Sequence, residues 1–324
     1  MPPDSSNLFR GCAGLVLLLS LLPIIVSAGR SLRGTTLLLP WRWLVAAVFV
    51  WTAVFAATML RPLEPGLADQ LWYAAGILGL CPPIAVLGSR RPMSQVWSLF
   101  ILIPLLLVFA WPACSDWSHR FQSSHWKLEE PMFVGFCLVL VMGLGNFLGT
   151  RLGLASLLWS AAQFLVVAPL GPVAKLGMAP DFRTRMWAVL LLIAGVWWGR
   201  LRCHLARSAR SPLDNLWLSY REAFGLVWGK RLQDRFNFNA RNAQTGFRLF
   251  RHGFALVDDR EIPQPGELTP EQCEFAEYTL RWLLRRFVDP EWIDERLAAG
   301  SRSSTSKSDS THPANPGAGE SLAV

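Results

Sequence analysis

The sequence predicts an all-α membrane protein, in which a transmembrane bundle of about seven helices is followed by a mainly helical C-terminal domain. Hydrophobic residues make up 52% of the 324 positions and charged residues 17%, which is too apolar for a soluble domain of this size. Seven apolar segments approach the roughly 20 residues that a bilayer-spanning helix needs. Twelve of the 16 Trp residues lie within or beside those segments, and indole rings favour the level of the lipid headgroups.

The apolar segments divide the first 199 residues into spans and short loops. They are Cys12–Ala28, Trp43–Leu60, Leu71–Gly88, Val96–Cys114, Met132–Leu148, Leu152–Gly171 and Met186–Gly199. The last segment is short, but Arg185 and Arg200 at its ends can extend their charged groups to the headgroups. The first segment also resembles a secretory signal peptide, because the small residues Val26-Ser27-Ala28 close it, and cleavage there remains the alternative.

The distribution of basic residues predicts the orientation. If the basic run Arg200–Arg210 is cytoplasmic and seven spans precede it, the N-terminus lies outside a cell membrane and the C-terminus in the cytoplasm. Ten Lys or Arg residues then fall in the cytoplasmic loops and seven in the outer loops. The same arrangement places all seven acidic residues that precede position 200 outside.

The predicted spans contain no Asp, Glu, Lys, Arg or His, which argues against a proton relay or a voltage sensor. Asn146 and Gln163 are their strongest polar residues. We expect an amide hydrogen bond between these two side chains on antiparallel neighbouring helices, with a grip on a ligand as the alternative. Pro82 and Pro83 bend the third span, and the alternative is that this kink lines a cavity. A polar cavity near these four residues would indicate a transporter or channel for a small or lipid-like substrate.

The longest outer loop, Ser115–Glu130, combines histidines with carboxylates. The spacing of His119 and His125 matches no zinc signature, so we expect a solvated interfacial loop that its tryptophans anchor. Cys114 lies beside this loop, and a thiolate activated by His119 would make the chain a membrane thiol enzyme, the least favoured alternative. The six cysteines show no CxxC or zinc-finger spacing, and we infer no disulfide framework, metal or cofactor.

The C-terminal domain is expected over residues 200–299, and its first helix starts at Ser211-Pro212, with Ser as N-cap and Asp214 in a capping box. One face of this helix holds Leu213, Leu216, Trp217, Tyr220, Phe224 and Val227, with Trp228 at its edge, and Arg231 and Arg235 continue the face. Such a face either packs in a domain core or lies in the membrane interface with its basic groups on lipid phosphates.

A second helix starts at Thr269-Pro270, where Thr269 and Gln272 form a capping box. It has an aliphatic face and, nearly opposite, an aromatic face of Phe275, Tyr278 and Trp282. Two apolar faces need two partners, one of which is another protein or a second copy of this chain. A short last helix runs through Ala298, and the Ser- and Pro-rich residues 300–324 are expected to be a disordered tail.

These features favour an integral inner-membrane accessory or scaffold protein that is not an enzyme. Its partners are the lipid bilayer and a protein or a second copy of itself, and no nucleic-acid signature is present. The candidate interaction surface consists of Trp217, Tyr220, Phe224, Trp228, Arg231, Arg235, Phe275, Tyr278 and Trp282. The weaker candidate site in the bundle and outer loop consists of Pro82, Pro83, Cys114, His119, His125, Asn146 and Gln163.

Overall fold

A computed structural model of the chain describes residues 5–60, 63–91, 96–116, 118, 124–205, 211–258, 262–264 and 266–308. Helix makes up 76% of the structure, which confirms the prediction of a mainly helical chain. The helices form two packed parts, each with its own apolar core. We call residues 5–205 the bundle and residues 211–308 the C-terminal unit.

Eight α-helices form the described part of the bundle. They are α1 (Ser5–Leu19), α2 (Leu21–Ser31), α3 (Leu38–Leu60), α4 (Pro65–Leu87), α5 (Ile103–Ser115), α6 (Glu130–Gly145), α7 (Gly153–Val167) and α8 (Phe182–His204). A π-helical turn, Ser98–Leu102, precedes α5, and two 3₁₀ turns, Ala168–Leu170 and Pro172–Leu176, follow α7. The last predicted span, Met186–Gly199, is thus part of a longer helix, which the Asp181 side chain caps by accepting the Thr184 N–H.

Five stretches of helix in the described residues are long and apolar enough to cross a membrane. They are Gly11–Ser31, Leu38–Leu60, Pro65–Leu87, Gly153–Leu170 and Phe182–Cys203. The described residues also contain two shorter apolar helices, Phe100–Ser115 and Glu130–Gly145. Large apolar side chains such as Phe49, Leu107 and Trp111 are exposed on the bundle surface, which is compatible with a membrane location.

The C-terminal unit combines three helices with a small sheet. Its elements are α9 (Pro212–Asn242), β1 (Phe247–Phe250), β2 (Gly253–Val257), β3 (Pro263–Gln264), α10 (Pro270–Leu284) and α11 (Pro290–Ser308). The strands form an antiparallel sheet in the order β1-β2-β3, with Phe247 opposite Leu256. We did not predict this sheet. Its strand β1 has only four residues of alternating burial, and so short a segment gives little periodic signal in the sequence.

Both predicted helix starts in this unit are present. Ser211 accepts the Asp214 N–H at the start of α9, and Thr269 and Gln272 form a capping box at the start of α10. The Asp214 carboxylate, which we expected in a capping box, is buried and accepts the Phe254 N–H of β2 (2.8 Å). The last helix, α11, continues beyond the Ala298 that we predicted as its end and reaches Ser308; residues 309–324 of the predicted tail lie outside the described residues.

The bundle presents its loops at two ends. Residues 32–37, 86–91 and 146–149 contact the C-terminal unit, and we call this end the junction end. At the other end, which we call the far end, the loop before α6 pairs with the turn after α7, since the Leu128 N–H donates to the Leu170 carbonyl (2.7 Å). The Gln70 side chain also donates to the Asp116 carbonyl there (3.1 Å).

Candidate functional site

The far end of the bundle holds a buried carboxylate, Asp69, in the second turn of α4. The helix that contains the third predicted span therefore carries an ionisable residue just before that span. We started the predicted third span at Leu71, whereas the helix starts at Pro65. Glu64-Pro65 carries a recognisable signal for that start, because proline is favoured at the first helical position. This signal would have placed Asp69 inside the helix.

Three groups surround the Asp69 carboxylate, and with it they form what we call the Asp69 cluster. Arg185 of α8 donates from Nη2 to Oδ1 (2.5 Å), and the Trp126 N–H donates to Oδ2 (3.1 Å). His125 Nδ1 lies 2.9 Å from Oδ2. A buried charge is tolerated only where opposite charge and hydrogen bonds compensate for the lost water, and these partners supply both. The cluster therefore joins α4, α8 and the loop before α6.

The loop that supplies His125 and Trp126 was expected to be solvated and anchored by tryptophan. Trp126 is buried against Tyr73, with ring centroids 5.1 Å apart, and its Nε1 donates to the Asp116 carboxylate. The His125 side chain remains 55% exposed. Trp126 thus holds this part of the loop on the bundle, and its neighbour His125 pairs with a buried acid, while Trp117 and residues 119–123 lie outside the described residues.

The residues of the suggested thiol site are only partly described. His119 lies outside the described residues, and Cys114 is exposed at the far end. The ring nitrogen Nδ1 of His125 is engaged by Asp69 and not by the thiol. Within the described residues, no group of three or more His, Cys, Asp and Glu side chains is arranged to hold a metal ion.

At the junction end, Asn146 is inserted into a break in α9. Gly225 has φ +81° and ψ −174°, so the helix loses its regular hydrogen bonds there. The Asn146 backbone carbonyl accepts the Leu226 N–H (2.7 Å), and its side-chain oxygen accepts the Val227 N–H (3.0 Å). Its side-chain nitrogen donates to the Phe224 carbonyl (3.3 Å). One bundle residue therefore satisfies three backbone groups that the break exposes.

The predicted hydrogen bond between Asn146 and Gln163 is wrong. Gln163 lies ten residues into α7, about 15 Å along the helix from its start, whereas Asn146 lies beyond the end of α6. Gln163 is fully buried against Gly79, and neither polar atom of its amide has a hydrogen-bond partner among the described residues. Asn146 was recognised as a buried polar residue, but its partner is on α9.

Pro82 and Pro83 lie within α4 in a packed environment. A proline at position 83 removes the hydrogen bond that would reach the Gly79 carbonyl, and Trp159 of α7 donates to that carbonyl from Nε1 (2.9 Å). On its other side Pro83 packs against Gly143, where an added Cβ would lie 2.9 Å from the proline ring. These contacts favour the structural interpretation of the kink over a cavity wall.

Further bonds attach the C-terminal unit to the junction end. Trp228 Nε1 donates to the Val86 carbonyl (3.1 Å), and the Asp289 N–H donates to the Gly34 carbonyl (2.7 Å). Arg91 forms an ion pair with the Asp289 carboxylate (2.7 Å). Together with Asn146, these contacts bind the unit to three separate loops of the bundle. We call this set of contacts the junction.

The aromatic residues of the first C-terminal helix form the core of the unit. Four of them are buried: Trp217, Tyr220, Phe224 and Trp228. They therefore pack in a domain core, as one of the two interpretations expected, and do not form a free surface. Burial raises the pKa of the Tyr220 hydroxyl well above its ordinary value. Tyr220 stacks on Phe224 with ring centroids 4.7 Å apart.

The buried face of α9 continues beyond the break at Gly225 through Trp228 and not through Val227. After the break, the buried positions are Trp228, Leu232, Phe236 and Ala240, while Val227 is exposed. The prediction that Val227 belongs to this face is therefore wrong, whereas Trp228, which we placed at its edge, is buried. A glycine in a helical pattern was the signal for the break.

The remaining residues of the predicted surface differ in exposure. Arg231 and Arg235 are exposed, and Arg231 lies 5.0 Å above the Trp228 ring. On α10, Phe275 packs against Phe247 of the sheet, with ring centroids 6.2 Å apart. Tyr278 is 72% exposed and Trp282 is 39% exposed. The guanidinium of Arg285 lies 5.0 Å from the Trp282 ring.

The fold and these sites define a mainly helical protein that has membrane-spanning candidates and a C-terminal unit bonded to one end of the bundle. No protein-family model, curated protein or solved structure matches the chain.

Proposed function

We propose that the chain is an integral inner-membrane accessory or scaffold protein, whose cytoplasmic domain binds a protein partner or a second copy at the membrane face. The observation that carries this proposal is the junction. Because the unit is bonded to Gly34, Val86 and Asn146, which lie in separate parts of the bundle, it is held in one position on the bundle. A domain fixed in this way presents a constant surface, which is what a scaffold requires.

In this proposal seven helices cross the membrane: the five long apolar stretches and the two shorter apolar helices. The N-terminus is outside, and the junction end and the domain from residue 200 are cytoplasmic. The alternation of loops supports this topology, since residues 32–37, 86–91 and 146–149 all meet the C-terminal unit while 125–129 lie at the far end. A reporter fused after Val324 should be active only in the cytoplasm; activity on the other side of the membrane would refute the orientation.

The exposed aromatic pair on α10 is the part of the predicted surface that we assign to partner binding. Tyr278 and Trp282 are one helical turn apart, and Arg285 stacks on Trp282. Tyrosine, tryptophan and arginine are the residues that most often dominate the binding energy of protein interfaces. The packed core of the unit lies behind this pair, so it can form a rigid contact.

The test is purification in mild detergent followed by chemical cross-linking. We expect a cross-linked complex, either with a partner or between two copies, that is lost when Tyr278 and Trp282 are both changed to alanine. Phe238→Ala is the matched control, because Phe238 is also an exposed aromatic residue, 51% exposed, on a different helix. Recovery of the monomer alone, unchanged by cross-linking, would refute the proposal.

The second candidate is a transporter or channel for a small or lipid-like substrate, and Asp69 is the observation that favours it. An ionisable residue buried in a membrane helix is costly and often serves a transport pathway. In this candidate, the Asp69–Arg185 pair would close the far end of that pathway. If proteoliposomes show an ion or substrate flux and Asp69→Asn abolishes that flux, the transporter candidate is supported. If empty liposomes show an equal flux, it is not supported.

A further inference from the structure

Three exposed arginines lie on the hairpin that α2 and α3 form at the junction end of the bundle. Arg30 lies in the last turn of α2, Arg33 in the connection between the helices, and Arg42 in the second turn of α3. We call these three residues the hairpin arginines. Their side chains extend from one end of two neighbouring helices, so they form one basic patch.

The two helices of the hairpin touch beside these arginines. Trp41 packs on Gly29, where an added Cβ would lie 2.6 Å from the indole ring. The Nε1 of Trp41 also donates to the Ile25 carbonyl (2.9 Å). Arg30 and Arg42 directly follow Gly29 and Trp41 in the chain, so both lie next to this contact. The backbone that carries the patch is therefore held in place before any ligand binds, which lowers the entropy cost of binding.

No acid compensates the charge of the patch among the residues that the structure describes, since none of the three arginines has a carboxylate within 4.0 Å. Asp289 of the C-terminal unit lies beside Gly34 in the same connection, but it is paired with Arg91 (2.7 Å). The described acids of the bundle all lie at the far end, and they are Glu64, Asp69, Asp116, Glu129, Glu130 and Asp181. The patch thus attracts anions without competition from a neighbouring carboxylate.

The outer face of each helix is apolar next to its arginine. Val26 precedes Arg30 by four residues and is 53% exposed, and Phe49 follows Arg42 by seven residues and is 67% exposed. Residues at these spacings share one face of a helix. Both helices are membrane-spanning candidates, and the arginines lie at their ends. An anion on the patch would therefore be at the level of lipid headgroups, with apolar surface for hydrocarbon chains beside it.

The chemistry of the side chains indicates a phosphate. All three residues are arginines, whose planar guanidinium groups match the oxygens of a phosphate with two parallel hydrogen bonds. A zwitterionic headgroup carries its own cation, which the patch repels, whereas a headgroup with net negative charge is attracted by every arginine.

We propose that the hairpin arginines bind the headgroup phosphate of an anionic phospholipid, whose acyl chains lie along the apolar outer faces of α2 and α3. This proposal rests on the membrane location that we propose above, and it is independent of partner binding at α10.

The test uses the full chain in phosphatidylcholine nanodiscs that contain a small share of phosphatidylglycerol with a photoreactive group near its headgroup. After illumination, the protein is digested with a protease that does not cleave at arginine, and mass spectrometry maps the labelled peptides. We expect the label to be concentrated in residues 30–43. Phosphatidylcholine with the same photoreactive group should label these residues less by about ten-fold or more, because it has no net charge.

Two triple variants locate the charge that matters. Changing Arg30, Arg33 and Arg42 all to glutamine should lower phosphatidylglycerol labelling of residues 30–43 by about ten-fold or more. The matched control changes three exposed cations of the far end to glutamine and should leave this labelling unchanged; they are Lys127, Lys175 and Arg183.

Two results would overturn the proposal. One is equal labelling of residues 30–43 by the two lipids, a comparison that needs only the unaltered protein. The other is an equal decrease in both triple variants, which would indicate a general effect of net charge. A chain that does not enter nanodiscs at all would refute the membrane location as well, so the two failures are distinguishable.

Discussion

At the scale of single residues, Asp69 and Arg185 form the most buried ion pair among those described. Their side chains are 0% and 16% exposed. Asp69→Asn keeps the shape of the side chain but leaves Arg185 without its counter-charge, and breaking a buried pair in this way costs about 3–5 kcal/mol. We therefore expect a clear fall in the thermal unfolding temperature of the protein in detergent.

A matched substitution separates burial from loss of charge. Lys230 and Asp234 are 2.7 Å apart, against 2.5 Å for Asp69 and Arg185, but their side chains are 69% and 59% exposed. Asp234→Asn should cost no more than about 0.5 kcal/mol, because exposed pairs contribute little. If the Asp69 and Asp234 variants unfold at the same temperature, the Asp69 cluster does not stabilise the bundle.

Tyr220 predicts a specific dependence of stability on pH. Burial raises its pKa in the folded state above the unfolded value, so its contribution is fully present below about pH 10 and is lost as the pH rises further. We expect the free energy of unfolding of the C-terminal unit to fall above about pH 10. In Tyr220→Phe this fall should be smaller, while the exposed Tyr278→Phe control should behave as the wild type. Equal alkaline profiles in all three proteins would contradict the assignment.

At the scale of elements, α9 depends on a residue from outside the helix. A Cβ at Gly225 would overlap the Asn146 side chain, and φ +81° is unfavourable for other residues. Gly225→Ala should therefore destabilise the unit by about 1–3 kcal/mol. Gly145→Ala is the control, since an added Cβ there meets no atom within 4 Å. Chemical unfolding followed by tryptophan fluorescence would measure the difference, and equal stability of the two variants would argue against a strained break.

The same elements show how far sequence reasoning reaches. Local signals such as Ser211-Pro212 and the Thr269 to Gln272 box predicted helix starts correctly, because the atoms involved are close in sequence. The partners of Asn146 and Asp69 were missed, since they are 78 and 116 residues away in the chain. Periodicity also could not show the backbone break at Gly225, because the buried positions on both sides of it keep a helical spacing.

At the scale of the whole molecule, the bundle and the C-terminal unit are two cores that the junction joins. Apolar contacts cross it as well as hydrogen bonds, since Leu37 and Val86 of the bundle belong to the core of the unit. Burial of such residues contributes about 25 cal/mol for each Å² of apolar surface removed from water. The unit should therefore remain attached without the covalent link between α8 and α9.

A protease site placed within residues 206–210 tests this expectation. After cleavage in detergent, the C-terminal fragment should co-purify with the bundle, because the contacts of Asn146, Trp228 and Arg91 remain intact. Combining Asn146→Ala, Trp228→Phe and Arg91→Ala removes the side-chain bonds at two of the three loops, 86–91 and 146–149, and the cleaved fragment should then separate. The exposed Lys230→Ala substitution serves as the control and should leave the fragment bound. Immediate release of the fragment from the otherwise unaltered protein would show that the junction does not hold the unit on the bundle, and the scaffold proposal would lose its main support.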